Sequence, residues 1–105
     1  MTRVYIAGPM TGIPAHNYSA FAAEAARLRA LGLDVISPYE INDGLEHEGW
    51  AACMKRDLQE LLRCDAIQLL PGWGKSRGAL IECRLAAELG IVVHEPFEAT
   101  EEISA

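Results

Sequence analysis

The chain has no long apolar run, no excess of basic residues and no paired-cysteine spacing, and each absence removes a class of protein. No stretch approaches the ~18 apolar residues of a membrane span, so no membrane partner is expected. Met1-Thr2-Arg3 runs directly into a strand-like segment instead of a leader, which fits a cytoplasmic protein. A formal charge of −6 leaves no basic face for a nucleic acid polymer. A single nucleotide is not excluded, because a loop of backbone N–H groups holds one phosphate without a basic surface. The three cysteines, Cys53, Cys64 and Cys83, are odd in number and form no CxxC, so neither a zinc site nor a disulfide framework is expected. They read as buried small hydrophobes in a reducing compartment. His16, His47 and His94 show no HxH or HExxH spacing, and Ser76 lies in no GxSxG. Metal hydrolases and serine hydrolases are thereby disfavoured, and no metal or cofactor is expected. There is no internal repeat, low-complexity tract or linker.

What is present is one domain's worth of chain: 105 residues, half of them hydrophobic, enough for a single core. Val4 to Ala7 reads as a buried strand entering a tight Gly8-Pro9 loop. Asn17 to Leu31 carries Phe21, Ala25, Leu28 and Leu31 at helical spacing, with Gly32 as its stop. Leu33 to Ile36 is a second strand, and a polar loop from Tyr39 to Gly49 precedes a helix from Trp50 to Leu62. Ala66 to Leu70 is a third strand, Pro71 to Arg77 a Gly-rich loop, Gly78 to Leu89 a helix, and Ile91 to His94 a last strand after Gly90. The domain is set at residues 1–94, with an acidic tail from Glu95 to Ala105. Strands alternating with helices, the strands almost continuously apolar, imply an α/β parallel sheet covered on both faces. Such sheets bind ligands at the carboxyl ends of the strands near a topological switch point. The loops at those ends are Gly8 to Pro14, Ser37 to Gly49 and Pro71 to Arg77.

Two carboxylates fall where the helical pattern calls for apolar side chains. At about 100° per residue, Trp50, Met54, Leu58 and Leu61 form one stripe, and Asp57 lies within it, roughly 20° from Trp50. In the later helix Ile81, Leu85 and Leu89 make the stripe, and Glu82 falls about 20° beyond Leu89, with Ala86 on its far side. An unpaired carboxylate facing a core costs several kcal/mol, so two on neighbouring helices point to a shared polar pocket and to acid, base or nucleophile chemistry. Glu82 is placed near the helix start, where the dipole favours its ionised form, and Asp57, if it lies nearer the apolar wall, has its pKa raised and can carry a proton. The alternative is a structural ion pair of either carboxylate with Arg56, Arg77 or Arg84. A carboxylate pair without metal-ligand spacing suits glycosidic chemistry, whose oxocarbenium-like transition state a carboxylate stabilises or traps.

The loops add polar and conformational features. Ala7-Gly8-Pro9-Met10-Thr11-Gly12 is neither a Walker loop nor GxGxxG, and reads equally as a plain strand–helix turn or a ligand cradle. In Gly72-Trp73-Gly74-Lys75-Ser76-Arg77-Gly78, Ser76 suits a helix N-cap or an anion contact. Lys75 and Arg77 could assist an anion, and Trp73 suits stacking on a base or packing across an oligomer interface.

Tyr5-Ile6-Ala7-Gly8-Pro9-Met10-Thr11-Gly12, Asp57, and Ser76-Arg77-Gly78-Ala79-Leu80-Ile81-Glu82 with Ala86 and Ala87 resemble the nucleoside 2-deoxyribosyltransferase superfamily, over about residues 3 to 94. Within it the chain is most similar to the small DUF4406 proteins. The resemblance implies a flavodoxin-like three-layer fold with a short sheet of about four to five strands. It also implies cleavage of the N-glycosidic bond of a deoxynucleoside or its 5′-monophosphate. By that resemblance Glu82 is the nucleophile and Asp57 the second carboxylate, which orients the sugar and assists the nucleophile or the proton transfer. By the same resemblance Tyr5 and Gly8 are expected to line the sugar and base pocket. Pro9, Met10, Thr11, Gly12, Ser76, Arg77 and Gly78 are expected to complete the substrate-binding set, with Trp73 as a candidate base contact. The serine at position 76 resembles the branch acting on 5′-monophosphates, where a serine helps bind phosphate. That branch carries an arginine in the first loop, where this chain has Thr11. The expected partner is a small nucleoside or nucleotide, and a homo-oligomer is expected. A non-catalytic nucleotide-binding or sensing module with the same pocket is the alternative, and a purely structural subunit a third reading.

Overall fold

The computed structural model describes residues 2–97. The tail expected from Glu95 lies, from residue 98 onward, outside the described residues. The strands are β1 (Arg3–Ala7), β2 (Asp34–Ile36), β3 (Ala66–Leu69) and β4 (Val92–His94). The helices are α1 (Tyr18–Ala30), α2 (Pro38–Ile41), α3 (Trp50–Leu61) and α4 (Arg77–Glu88). Short 3-10 turns at Pro14–Asn17, Glu46–Glu48 and Trp73–Lys75 precede α1, α3 and α4. The sheet runs β2-β1-β3-β4, every pair parallel.

Alternation along β1 divides the core in two. Val4 and Ile6 point to the face covered by α1, where Phe21, Ala25 and Leu28 meet Val35, Ala66 and Leu70. Tyr5 and Ala7 point to the opposite face, under α3 and α4, with Leu61, Ile67, Leu69, Ala79 and Ala86. The result is the expected three-layer α/β sandwich. Because β1 connects toward β2 and the chain then crosses back to β3, the connections diverge between the two central strands and open a crevice at their carboxyl ends.

The apolar stripes differ from the sequence reading in instructive ways. α3 buries Met54, Asp57 and Leu61, and α4 buries Ala79, Glu82 and Ala86, so each helix presents an i, i+3, i+7 stripe with an acid at its centre. The large apolar residues expected to face inward from α4 do not all do so: Ile81 is 38% and Leu89 55% exposed. Small alanines face the sheet instead and allow the helix to sit close over Tyr5 and Leu61. Trp50, also expected in the core stripe, is 44% exposed, and Leu31 lies beyond the end of α1 and is exposed. The Tyr39–Gly49 segment, expected as plain loop, contains α2 and a 3-10 turn. No helix among the described residues is long and apolar enough to cross a membrane.

Candidate active site

At the carboxyl ends of β1 and β3 a cavity of about 700 Å³ opens between the first loop, the segment after β2 and the starts of α3 and α4. Tyr5 sits beneath it, fully buried on β1, and its hydroxyl donates to Glu82 Oε2 at 2.5 Å. Glu82 comes from the second turn of α4 and Asp57 from the middle of α3, both buried and both on the cavity wall. Asp57 Oδ1 accepts from Asn42 Nδ2 at 2.7 Å. Among the described residues neither carboxylate is in a salt bridge. Arg56 is bound to Glu48 at 2.5 Å, and Arg77 lies over the Trp50 ring, 4.3 Å from its centroid.

Burial dominates the electrostatics. It pushes Glu82 up to about 8, with the nearby Asp57 charge adding to the rise and the Tyr5 hydrogen bond opposing it. Burial also raises Asp57 to about 6, held back by the Asn42 amide, the Arg56 charge and the Tyr5 hydroxyl. Tyr5 itself is driven well above the usual phenol value by burial and by the two acids. The expectation that the helix dipole keeps Glu82 ionised is therefore corrected. Its side chain is one turn too deep into α4 for that field, which fades within the first turn, and desolvation wins. Both acids are thus pushed toward the protonated form, Glu82 further than Asp57, and each charge disfavours the other.

The loop residues named from sequence are partly brought together. Gly8, Pro9, Met10, Thr11, Ser76, Arg77 and Gly78 all line the cavity. Gly8 is required by packing: a Cβ there would lie 2.7 Å from Leu70 Cβ. Gly78 lets α4 approach α3, since its Cβ would meet Met54 Sδ at 3.1 Å. Ser76 caps α4, its Oγ accepting from Ala79 N–H at 3.2 Å while the residue remains on the cavity wall. Tyr5, expected to line the pocket, lies fully buried beneath the wall and not on it, and two of the loop residues also fall outside. Gly12 is a turn residue at φ +82 and is not on the cavity wall. Trp73, expected as a base contact, is turned by its 3-10 turn onto the apolar cluster beneath α4 and does not line the cavity.

Sequence reasoning missed Asn42, Trp50, His16 and Tyr39, all of which line the cavity. Tyr39 donates to the carbonyls of Ala15 and His16, and Asn17 Nδ2 donates to Pro9 O at 3.0 Å. Together these hold a left-handed run from Ala15 to Asn17 beside the cavity. Such a run of non-glycine residues carries no hydrophobic period, and no sequence signal marked it. Among the described residues no three His, Cys, Asp or Glu side chains gather as a metal site.

Residues 2–95 match the family described as "Domain of unknown function (DUF4406)". No curated protein matches the sequence. Among solved structures, a 2-deoxyribosyltransferase from the psychrotolerant bacterium Bacillus psychrosaccharolyticus superposes with a TM-score of 0.71 at 21% identity, over 90% of this chain and 71% of that one. A 2-desoxiribosyltransferase from Leishmania mexicana gives a TM-score of 0.70 at 20% identity, over 90% and 63%. A conserved protein from Enterococcus faecalis V583 gives 0.65 at 27% identity, over 90% and 62%. The chain thus spans less than two thirds of the last two proteins, and at 20–21% identity the likeness to the two transferases is one of fold. This chain belongs to the DUF4406 family and has the α/β fold of the 2-deoxyribosyltransferases.

Proposed function

We propose that the protein cleaves the N-glycosidic bond of a deoxynucleoside or a deoxynucleoside 5′-monophosphate, with Glu82 as nucleophile and Asp57 as its partner. The observation that carries this reading is the pair of buried, unpaired acids on one cavity wall, one of them held by the Tyr5 hydroxyl. A Glu82 carboxylate oxygen bonds to the anomeric carbon as the bond to the base nitrogen breaks, and the bonding electrons leave with the base. A proton reaches the departing base, and Asp57 is the group placed to pass it. Water or a second base then takes the sugar and restores the Glu82 carboxylate. Gly8 to Thr11 and Ser76 to Gly78 hold the sugar and any phosphate, and Trp50 takes the place beside the base that Trp73 does not occupy. The domain at residues 1–94 acts as one catalytic unit. Exposed Leu80, Ile81, Leu89 and Val92 fit a homo-oligomer, and three free cysteines fit a cytoplasmic location.

The test is chromatographic: free base is measured across deoxy- and ribonucleosides with and without phosphate. Wild type is expected to release base from at least one deoxy substrate, and Glu82→Ala to lower that rate about a thousandfold or more while remaining folded. Absence of base release across the panel removes the enzymatic reading. One feature favours the second reading, a nucleotide-binding or sensing module: burial pushes Glu82 up to about 8, toward the protonated form, which is unreactive as a nucleophile. That reading expects ligand-induced thermal stabilisation without turnover, retained in Glu82→Ala.

A further inference from the structure

Asn42 caps the C-terminus of α2 and is buried, yet the cavity chemistry above assigns it nothing. Its Nδ2 donates to Pro38 O at 2.9 Å and to Asp57 Oδ1 at 2.7 Å. Its Oδ1 accepts from Arg56 Nη1 at 2.6 Å, and Arg56 Nη2 reaches Glu48 Oε1 at 2.5 Å. Two acceptors on one side and a guanidinium on the other leave the amide a single orientation, because a flip would set donor against donor and acceptor against acceptor. Arg56 neighbours Asp57 in sequence, so the two side chains leave α3 in different directions. The cation therefore meets the carboxylate through the amide. An amide N–H does not titrate in the physiological range, so this donor is present at every working pH.

We propose that Asn42 is a positioning residue for Asp57: its amide, locked by Pro38 and Arg56, aims the carboxylate into the cavity and holds it in the anionic form. The catalytic consequence deepens the glycosidic reading and rests on it. An anionic Asp57 on the same cavity wall is able to accept a proton from Glu82 whenever Glu82 carries one, leaving Glu82 as carboxylate and Asp57 as the acid that later protonates the base. The other charged or titratable groups bearing on Asp57 are Tyr5 on β1 and Glu82 on α4. Around the same cavity stand His16, Tyr39, Glu46, Cys53, Lys75 and Arg77, none of which is substituted in the variants below.

The experiment is a carbon-13 carboxyl titration of the full chain by NMR, following Asp57 and Glu82 in wild type, Asn42→Ala and Arg56→Gln. Asn42→Ala is expected to raise the Asp57 midpoint by about one pH unit or more, and Arg56→Gln to raise it by a smaller amount. Arg56 is partly exposed, so its variant carries the test if Asn42→Ala fails to fold. An Asp57 midpoint within about 0.3 unit of wild type in Arg56→Gln overturns the proposal. So does an unmoved midpoint in folded Asn42→Ala. The titration needs no turnover, so loss of the glycosidic reading in the base-release assay is read separately. Where base is released, Asn42→Ala should lower kcat more than it raises KM, since the amide makes its hydrogen bonds to Pro38, Arg56 and Asp57 within the protein.

Discussion

Tyr5 shows how one side chain serves both core and site. Its ring fills the face of the sheet under α3 and α4, and its hydroxyl supplies the hydrogen bond that offsets part of the desolvation of Glu82. Tyr5→Phe keeps the ring and removes that donor, so the Glu82 carboxylate becomes harder to form. Its midpoint should then rise further above 8, and under the glycosidic reading base release at pH 7 should fall about tenfold or more. The rising limb of kcat/KM against pH should move to higher pH in the same variant. A pH–rate profile identical to wild type would show that the hydroxyl does not tune Glu82. The two acids were legible because a carboxylate on an apolar helical stripe is an energetic anomaly that periodicity alone exposes. Asn42 was not, because it follows a one-turn helix in a segment without a period, and its partner lies fifteen residues on. Trp50 and Trp73 were exchanged for a related reason: composition marks both as large aromatics, and only the turn at Trp73–Lys75 decides which one faces the cavity.

At the scale of elements, α4 brings Arg77, Gly78, Ala79 and Glu82 to the cavity wall, and its start is fixed by one side-chain cap. Ser76 is extended at φ −105 and accepts from Ala79 N–H, leaving the first turn of α4 aligned with Arg77 and Gly78 at the cavity. Ser76→Ala should cost about 1 kcal/mol of stability, a fall of about 4–8 °C in Tm, measured by thermal denaturation without ligand. A Tm equal to wild type would mean the cap contributes nothing and that Ser76 matters only to ligand. Strand and helix positions were readable from apolar runs and from Gly32 and Gly90, both at positive φ beyond helix ends. The rotation of α4 was not. Periodicity finds a stripe, but Ala79 and Ala86 beat Ile81 and Leu89 for the sheet because the space over Tyr5 and Leu61 admits only small side chains.

Across the whole molecule, the β2-β1-β3-β4 order creates the crevice, and α3 and α4 each deliver one acid to it from an otherwise apolar face. The fold was legible from the alternation of strands and helices, and so was the rise of Asp57 against its apolar wall, whereas the rise of Glu82 depends on how deep in α4 its side chain is buried, which the stripe did not give. That state has a consequence for global stability. Folding raises Glu82 from its usual 4.5 to about 8 and Asp57 from 3.8 to about 6. Between those limits the folded chain binds more protons than the unfolded chain, so stability falls as pH rises through the window and is lowest above about 8. Glu40, held down by Arg29, acts with the opposite sign, but its contribution is lost only as pH falls below the usual carboxylate range. Urea denaturation should therefore give a midpoint that declines from pH 5 to 8.5 with an unchanged m-value. Glu82→Gln, which keeps the shape and cannot ionise, should flatten most of that decline and be the more stable protein at pH 8. A wild-type midpoint that is level or rising over this range would mean that Glu82 ionises freely where it sits, and the buried protonated acid at the centre of the site would have to be given up.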